Sequence, residues 1–289
     1  FSDMSLDEDG QLQPGDLSDW FGDYFGREGG VLLVNGKVVP TLRGRAGAPQ
    51  RWRVVNAARA RFLKMTIPGV PMVRVGGDAG GIEHPQPLDE LELAPSERAE
   101  ILVTPPTSDL GEIEVDWKDA DRFDTGLPLE DLPLLRYAVS TEPAVVPPAL
   151  PDPLRSISPI DTSGVPTRPI ELGEDTVEGE GVPTINGETF EEAAPHVAYV
   201  GDTEIWEVSN TTPYHHPFHL HGFSFHVLDV DGVSWPVREW KDTVNVAGGE
   251  TLRVAVTFDD RPGSWMFHCH ILDHTKLGMM AVLDVEPAP

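Results

Sequence analysis

Histidine is concentrated in two short segments of this chain. Eight of the ten histidines lie in residues 215–226 and 268–274, and the single cysteine, Cys269, lies inside the second segment. Imidazole and thiolate are the side chains that bind zinc and copper in proteins. A cysteine alone is more often an inert buried thiol. A cysteine within a histidine cluster instead indicates a metal site.

The spacing around the cysteine predicts ligands on both faces of one strand. Successive side chains of a strand point to opposite faces, so His268 and His270 share one face while Cys269 takes the other. One extended segment can therefore serve two metal sites back to back.

The first histidine segment divides in the same way. His219 and His221 are two residues apart, so strand geometry places them on a common face. His216 belongs to the other site in this interpretation, and we expect a turn at Pro217 to direct it away from them. Both segments then contribute to both sites.

One predicted site contains two imidazoles, one thiolate and one thioether, from His216, Cys269, His274 and Met279. This is the ligand set of a blue-copper electron-transfer centre. Met280 is adjacent, and either methionine could be an ordinary core residue, but the ten-residue spacing from the cysteine favours Met279.

The other predicted site contains four imidazoles and no thiolate, from His219, His221, His268 and His270. Such a set suits copper or zinc, so the residues alone leave the metal open. Cys269 would join the two sites covalently. An electron at its sulfur could leave through either flanking peptide bond, toward His268 or His270.

The remaining histidines receive simpler interpretations. His215 and His226 are expected to be neighbours that orient ligands, because ligating imidazoles need hydrogen-bonded partners. His84 and His196 are isolated in the sequence, and we expect them on the surface or in loops.

Short β-rich runs bounded by turn residues must position these ligands. Six of them are residues 30–34, 51–55, 99–103, 204–209, 251–258 and 279–285. Within one run, four apolar residues alternate with three others, namely Leu252, Val254, Val256 and Phe258 with Arg253, Ala255 and Thr257. This period predicts a strand with one face on a core and the other nearer solvent.

The two halves of the chain repeat one another. Three matches keep their order at an offset of about 150 residues, namely Val34-Asn35-Gly36 with Ile185-Asn186-Gly187, residues 51–56 with 204–210, and 111–115 with 263–267. We therefore expect two copies of one β-sandwich. The predicted boundaries are a copper-free domain over 1–141, a proline-rich linker over 142–169 and a metal-binding domain over 170–289.

Charge and hydropathy exclude several classes of partner. The 289 residues include 48 acidic and 21 basic side chains, a net charge of −27 that repels nucleic acid and anionic membranes. No run approaches the roughly 18 apolar residues of a membrane-spanning helix, so we expect no membrane insertion. The acidic excess could simply solvate the surface, or it could attract cationic substrates such as reduced metal ions.

The two histidine segments resemble the copper motifs in the last cupredoxin domain of multicopper oxidases, including bacterial and spore-coat laccases and cuprous oxidases. These motifs are His216-Pro217-Phe218-His219-Leu220-His221-Gly222 and His268-Cys269-His270-Ile271-Leu272-Asp273-His274-Thr275-Lys276-Leu277-Gly278-Met279-Met280. The resemblance extends to Trp240-Lys241-Asp242-Thr243-Val244 and, in the family's copper-free middle domain, to Asp3, Asp9-Gly10, Val34-Asn35-Gly36 and Ala94-Pro95-Ser96-Glu97-Arg98-Ala99-Glu100.

This resemblance implies an all-β fold of two tandem cupredoxin-like Greek-key β-sandwiches. It implies a role for each ligand, with type 1 copper on His216, Cys269, His274 and Met279, type 2 copper on His219, and the type 3 pair on His221, His268 and His270. Electrons from a small reducing substrate would pass from the type 1 copper through Cys269 to His268 and His270. The substrate could be a phenol, an aromatic amine or a metal ion, and dioxygen would accept the electrons.

The chain also departs from the family's pattern. A complete enzyme binds up to four coppers and takes four more histidines, in two His-x-His motifs, from its first domain. No such pair precedes His215, so we expect a fragment that needs an N-terminal cupredoxin domain or an equivalent chain. Thr275 stands where many bacterial relatives carry an acid that helps to deliver protons. Export from the cytoplasm is expected from the resemblance.

Two functions follow. The first is a laccase-type oxidase in which this chain supplies the middle and last domains and is inactive alone in oxygen reduction. The second is a non-catalytic module that binds type 1 copper alone and transfers electrons. A copper-free structural relative is disfavoured, because such proteins lose ligands that this chain retains.

Overall fold

The computed structural model describes residues 1–13, 25–107, 111–118, 120, 131–142, 148–177 and 180–289. Strands dominate these ranges, which confirms the all-β prediction. The described residues divide into two compact units. The first unit contains most residues up to Ser156, and the second contains Ile157–Pro289 together with residues 25–27.

The first unit is built from eleven described strands. They are β1 (Ser2–Met4), β2 (Val31–Leu33), β3 (Thr41–Arg45), β4 (Gln50–Val55), β5 (Leu63–Met65), β6 (Met72–Gly77), β7 (Gly80–Leu88), β8 (Leu91–Leu93), β9 (Arg98–Val103), β10 (Gly111–Trp117) and β11 (Leu132–Ser140). One sheet has the order β3-β11-β10-β5-β8 and another has β4-β9-β6-β7, while β1 pairs with β2. Apolar side chains from both larger sheets form one buried core, as in a β-sandwich.

The second unit contains eleven described strands and one short helix. They are β12 (Thr167–Val177), β13 (Glu180–Ile185), β14 (His196–Tyr199), β15 (Thr203–Asn210), β16 (His216–Leu220), β17 (Phe225–Val230), β18 (Val233–Ser234), β19 (Thr243–Val246), β20 (Thr251–Thr257), β21 (Gly263–Cys269), α1 (Leu272–Leu277) and β22 (Met280–Glu286). One sheet has the order β13-β12-β15-β20-β17-β18, and the other has β14-β22-β21-β16-β19.

An aromatic cluster fills the space between the two sheets of the second unit. Trp206 on β15 is fully buried, and its ring lies 5.0 Å from that of Phe267 on β21 and 6.1 Å from that of Phe218 on β16. Edge-to-face contacts at such distances stabilise aromatic pairs beyond their buried area. The strands that carry the histidines are therefore packed on a rigid core.

Strand β20 follows the predicted alternation with one exception. Leu252, Val254 and Val256 are buried, whereas Arg253 is only partly buried. Ala255 is also buried, so the expectation that it lies nearer solvent is wrong. It sits on an interior strand opposite Ile205 of β15, where a methyl group is covered from both sides.

The backbone supports the duplication. Asn35 and Gly36 both have positive φ, of 52° and 72°, and the matching Asn186 and Gly187 have φ of 54° and 77°. In each pair the residues on either side form an isolated antiparallel bridge. Asparagine followed by glycine is the preferred sequence for this two-residue turn.

A buried asparagine occupies the same place in each unit. The Nδ2 group of Asn56 donates to the carbonyl oxygens of Arg61 and Leu93, and its Oδ1 accepts from the backbone of Ala58. Asn210 repeats this arrangement, with Nδ2 donating to Tyr214 and Oδ1 accepting from the backbone two residues ahead. Each amide therefore ties one strand end to two loops.

The copies differ where β10 corresponds to β21. Trp117 stands at the position that aligns with Cys269, and its Nε1 donates to the carbonyl of Phe62 at 2.7 Å. The guanidinium of Arg61 lies 4.4 Å from the centre of the indole ring and pairs with Asp3. In the first unit, the stacked side chains of Trp117 and Arg61 therefore occupy the place that corresponds to Cys269 in the second unit.

The predicted linker is partly described. The backbone N–H of Leu154 donates to Glu83 on β7, and Asp152 Oδ1 lies 2.5 Å from His84 Nδ1. Residues 143–147 lie outside the described part of the chain. Strand β12 begins at Thr167, so residues 167–169 are strand. The domain boundaries themselves stay predictions.

Among the described residues, we find no helix with the length and apolar character needed to span a bilayer.

The buried hydrogen bonds of Asn210 lead to a prediction about stability. Asn210→Ala should lower the free energy of unfolding by about 2–4 kcal/mol, because it leaves buried carbonyl groups without their donor. Urea denaturation of the metal-free chain measures this. Asn35→Gly is the control, since it removes an exposed amide where glycine accepts a positive φ, and it should change stability by less than about 0.5 kcal/mol. Equal effects of the two substitutions would contradict a stabilising role for the Asn210 hydrogen bonds.

Candidate metal centre

Two neighbouring antiparallel strands carry most of the predicted ligands. Strands β16 and β21 pair in a register that places Phe218 opposite Cys269 and His219 opposite His268. Strand β16 runs without interruption through Pro217, which pairs with Asn245 of β19. The expected turn at Pro217 is therefore wrong. Strand alternation alone separates His216 from His219, because three residues reverse the face.

The first cluster joins His216, Cys269 and His274, all fully buried. The Nδ1 atoms of the two imidazoles lie 3.2 Å apart, and Cys269 Sγ lies 3.4 Å from one and 3.5 Å from the other. The centre of such a triangle is about 2 Å from each atom, and nitrogen–metal and sulfur–metal bonds are about 2.0–2.3 Å long. The three donors therefore fit one metal ion.

Hydrogen bonds leave the donor atoms of this cluster directed inward. His216 Nε2 lies 3.0 Å from the Thr212 hydroxyl, and a proton held on Nε2 leaves Nδ1 as the unprotonated nitrogen that faces the cluster. The sulfur of Cys269 accepts a hydrogen bond from the backbone N–H of Ile271 at 3.4 Å. A donor aimed at sulfur favours the thiolate, which is the form that binds metal.

Met279 is connected to the same cluster through its backbone. Its carbonyl accepts from the backbone N–H of Cys269 at 3.2 Å, and its own N–H donates to the carbonyl of His274 at 3.0 Å. The side chain is fully buried. Helix α1 contains His274 and lies between Cys269 and Met279 in the chain. One short segment, residues 269–279, therefore positions three of the four predicted ligands.

The second cluster joins His219, His221 and His268 on the opposite face of the strands. His221 Nε2 and His268 Nε2 lie 3.0 Å apart. A proton or a metal ion must lie between two imidazole nitrogens at this distance. The ring of His270 lies 5.4 Å from that of His219 and 5.3 Å from that of His268, so the fourth predicted histidine adjoins the same cluster.

Hydrogen bonds also orient these rings. His219 Nδ1 donates to the carbonyl of Asp242 at 2.9 Å, and His268 Nδ1 donates to the carbonyl of Cys269 at 2.7 Å. Each bond directs the Nε2 lone pair toward the cluster. His270 Nδ1 is buried and has no hydrogen-bond partner among the described residues, as expected for an atom awaiting a ligand.

Burial favours the neutral form of three of these imidazoles. Burial first, and the neighbouring His219 to a smaller extent, lower the pKa of His268 from 6.5 to about 3 and that of His270 to about 4. Burial and His219 also lower the pKa of His221. Neutral imidazole is the form that binds metal, so the rings are ready as ligands at neutral pH.

The second cluster borders an open cavity of about 260 Å³. His219, His221 and Asp242 contribute to its wall, and Trp265 closes one side. Gly222 has a φ of +77°, and a Cβ there would lie 2.3 Å from the Trp265 ring. Only glycine therefore lets the Trp265 indole pack directly against the backbone at residue 222, next to His221.

Thr275 lies between the clusters. Its hydroxyl donates to the carbonyl of Cys269 at 2.5 Å and lies 3.4 Å from His268 Nδ1. The same carbonyl therefore accepts hydrogen bonds from two side chains. At this position the chain therefore holds a neutral hydrogen-bond donor.

The other histidines lie outside both clusters. His215 Nδ1 accepts from Asn245, and His226 on β17 stacks against Trp240 with ring centres 3.9 Å apart. His84 is an exposed residue of β7. His196 is not a loop residue, because it lies on β14 and packs against Phe267.

Several residues around the first cluster were missed by the sequence analysis. Tyr214 packs its ring against those of His216 and His274, at 5.1 and 5.9 Å. Arg27 forms an ion pair with Asp273, the residue before His274. The ion pair spans 246 positions and leaves no local pattern. Tyr214 adjoins the histidine segment, and its position beside His215 was the one available signal.

Comparison with known proteins gives consistent results. Two models described as multicopper oxidase match residues 160–289 and 13–111. A multicopper oxidase of Staphylococcus aureus is 32% identical over 273 residues, which cover 91% of this chain and 54% of the relative. A laccase of Bacillus subtilis (strain 168) is 30% identical over 282 residues, covering 89% and 54% respectively. The chain thus spans about half the length of the curated relatives it matches.

A solved structure gives the same result for the fold. A multicopper oxidase from Campylobacter jejuni, described as a metallo-oxidase, superposes with a TM-score of 0.85 at 31% identity. The match covers 99% of this chain and 62% of the other. The prediction of cupredoxin-like β-sandwich domains is confirmed.

The neutral imidazoles make a prediction about pH. Lowering the pH of the metal-free chain from about 8 to about 5 should cost about 2 kcal/mol of stability through His268 alone. The unfolded chain binds the proton near pH 6.5, whereas the folded chain resists protonation down to about pH 3. The stability is therefore complete above pH 6.5 and is lost as the pH falls toward 3.

Urea unfolding at a series of pH values measures this loss, and His268→Gln should reduce the slope. Histidine ring signals in nuclear magnetic resonance supply the control, because the same ring should titrate near pH 6.5 in the urea-unfolded chain. A His268 ring that titrates near 6.5 in the folded chain would contradict the prediction.

Proposed function

Because the chain belongs to the multicopper oxidase family, we propose that His216, Cys269, His274 and Met279 hold its type 1 copper. The observation that supports this most directly is the triangle of Nδ1, Sγ and Nδ1 atoms at 3.2–3.5 Å. Two imidazoles, a thiolate and a distant thioether are the ligand set of blue-copper centres.

We propose that the opposite face of the same strands holds part of a trinuclear copper cluster. His219 is assigned to the type 2 copper, and His221, His268 and His270 to the type 3 pair. The 3.0 Å approach of two Nε2 atoms and the unpartnered Nδ1 of His270 support this assignment.

Copper bound in this way supplies the redox chemistry of the family, in which four one-electron oxidations of a reducing substrate are coupled to the four-electron reduction of dioxygen to two molecules of water. The protein provides the geometry and the path. Cys269 is joined by single peptide bonds to His268 and His270, and its carbonyl accepts a hydrogen bond from His268 Nδ1. We propose this segment as the electron relay.

The reducing substrate is proposed to be a small phenol, aromatic amine or metal ion. The type 1 imidazoles His216 and His274 are fully buried, so a donor would exchange electrons through the residues that cover them. The net charge of −27 would concentrate cations near the surface.

The trinuclear assignment requires more ligands than this cluster contains. Four imidazoles surround the second site, whereas a complete cluster of the family takes eight. We propose that another cupredoxin domain, from the same polypeptide or a partner chain, supplies the remaining four. The open cavity beside His219 and His221 leaves room for them.

A second candidate function is an electron-transfer module that binds only the type 1 copper. The observation that favours it is the unequal completeness of the two sites. All three strong type 1 ligands lie within bonding geometry, whereas the second cluster holds half of its family's imidazoles. Copper stoichiometry and oxygen uptake distinguish the two functions.

The type 1 assignment predicts a blue protein. The chain loaded with cupric ion should show the intense thiolate-to-copper absorption, and Cys269→Ser should abolish it because the hydroxyl cannot replace the thiolate. His84→Gln is the matched control, since that histidine is exposed on the other unit, and it should keep the colour. A colourless wild-type chain with bound copper would contradict the assignment.

The oxidase assignment predicts a dependence on added ligands. The chain alone should bind one blue copper and consume no oxygen with a phenolic donor. A longer protein that joins this chain to a cupredoxin domain with the four further histidines should bind about four coppers and consume oxygen. His268→Gln in that longer protein should retain the blue colour and lose oxygen uptake. A longer protein that binds one blue copper and consumes no oxygen would favour the electron-transfer module.

A further inference from the structure

A buried ion pair adjoins the proposed type 1 site. Arg27 contacts the carboxylate of Asp273 through three donors: its backbone N–H lies 2.8 Å from Oδ2, and Nε and Nη2 lie 3.0 and 2.5 Å from Oδ1. The Asp273 side chain is 1% exposed and that of Arg27 is 18% exposed. Both oxygens of the carboxylate are therefore satisfied by one residue.

This pair lies on the helix that carries a copper ligand. Asp273 is in the first turn of α1, directly before His274, and both side chains are buried. The helix has six residues, and its N-terminal residue Ile271 provides no side-chain cap. Helices this short are unstable in isolation, so contacts with the rest of the unit must set its position and rotation.

Arg27 contacts the first turn of α1, and other residues hold its middle and its end. Thr275 holds the middle of the helix through the carbonyl of Cys269. Gly278 ends it with a φ of 131° and packs closely against Thr189. A forked guanidinium on Asp273 fixes the remaining end, and a bidentate pair restrains orientation as well as distance.

The same short segment reaches the copper ligands by a second route. Phe25 packs edge-to-face on Tyr214, with ring centres 5.4 Å apart. Tyr214 in turn packs on both type 1 imidazoles, and its hydroxyl donates to Glu174 at 2.7 Å. Residues 25–27 therefore reach the site by two contacts. One is the ion pair of Arg27 with Asp273, and the other is the packing of the Phe25 ring on Tyr214.

We propose that Arg27 is a positioning residue for the type 1 copper and acts on His274 through Asp273. This inference rests on the proposed type 1 assignment. The pair sets the rotation of α1 and thereby holds His274 Nδ1 at 3.5 Å from Cys269 Sγ. The contact between Phe25 and Tyr214 keeps the imidazoles covered from the same side.

The pair also balances charge beside the metal. Replacing Arg27 removes a positive charge that lies 2.5–3.0 Å from a carboxylate, one residue from a proposed copper ligand in a buried environment. Negative charge stabilises cupric over cuprous ion, so the reduction potential should fall. The guanidinium therefore acts on both the geometry and the potential of the site.

The experiment uses the full chain loaded with cupric ion. Arg27→Gln keeps most of the side-chain length and removes the charge and the fork. We expect copper affinity to weaken about 10- to 100-fold, as is usual when a partner of a ligating residue is lost. The reduction potential should fall, and the copper hyperfine splitting in electron paramagnetic resonance should change because His274 moves.

Two further variants separate position from charge. Arg27→Lys keeps the charge but cannot form the fork, so it should restore the potential more fully than the affinity. The double variant Arg27→Gln with Asp273→Asn removes both charges, so it should restore the potential while the spectrum stays altered. It removes the carboxylate together with the guanidinium, which keeps the test valid if the single variant does not fold. Arg261→Gln breaks an exposed ion pair of the same unit and serves as the control.

The outcomes distinguish this inference from the type 1 assignment. Wild-type chain that binds copper without blue colour overturns the assignment and the inference with it. Blue wild-type chain, with Arg27→Gln and the double variant matching Arg261→Gln in affinity, potential and spectrum, overturns the inference alone. Loss of thermal stability with an unchanged spectrum and potential in the copper-loaded variants also overturns it, since a purely structural ion pair would behave in that way.

Discussion

Adjacent residues of an extended strand point in opposite directions, and the chemistry of this protein depends on that constraint. Strand β21 presents a sulfur to one face and an imidazole to the other, one peptide unit apart. Strand β16 presents His216 to the first of these faces and His219 to the second, and the register between the strands brings His219 beside His268 while Cys269 faces His216. The ladder hydrogen bonds and the aromatic core beneath them prevent one face from shifting without the other. Two chemically different centres are thus held at a constant separation by ordinary sheet geometry.

Features that follow from local periodicity could be predicted from the sequence. Alternation assigned His268, His270 and Cys269 to their faces, and the Asn-Gly pairs marked equivalent turns in both units. Features that depend on distant partners could not. Nothing near Arg27 in the sequence indicates that its guanidinium meets a carboxylate 246 positions away. The expected turn at Pro217 was wrong for a different reason, because the missing N–H of proline is tolerated inside a strand when its carbonyl still accepts a hydrogen bond, here from His270.

The two units show how one scaffold supports different chemistry. Asn56 and Asn210 make equivalent bonds to the loops that follow their strands, so the frame around each site is the same. The contents differ. One unit directs a thiolate and imidazoles into this frame, where the Nδ1 atoms of His216 and His274 and the Sγ atom of Cys269 lie within 3.5 Å of one another. The other directs Trp117 into it. Both units keep the asparagine hydrogen bonds but place different side chains at the aligned strand positions. The reactivity of the site therefore changes while the asparagine hydrogen bonds around it stay the same.

The stack of Arg61 on Trp117 has a consequence for how the protein matures. The Arg61 guanidinium pairs with Asp3 at 3.2 Å and with Glu28 at 3.1 Å, so side chains of the protein itself fill and pair the interior at this point. In the second unit, by contrast, His221 Nε2 and His268 Nε2 lie 3.0 Å apart and need a proton or a cation between them. On the proposed copper assignment, the supply of metal would therefore affect the maturation of the second unit more than that of the first.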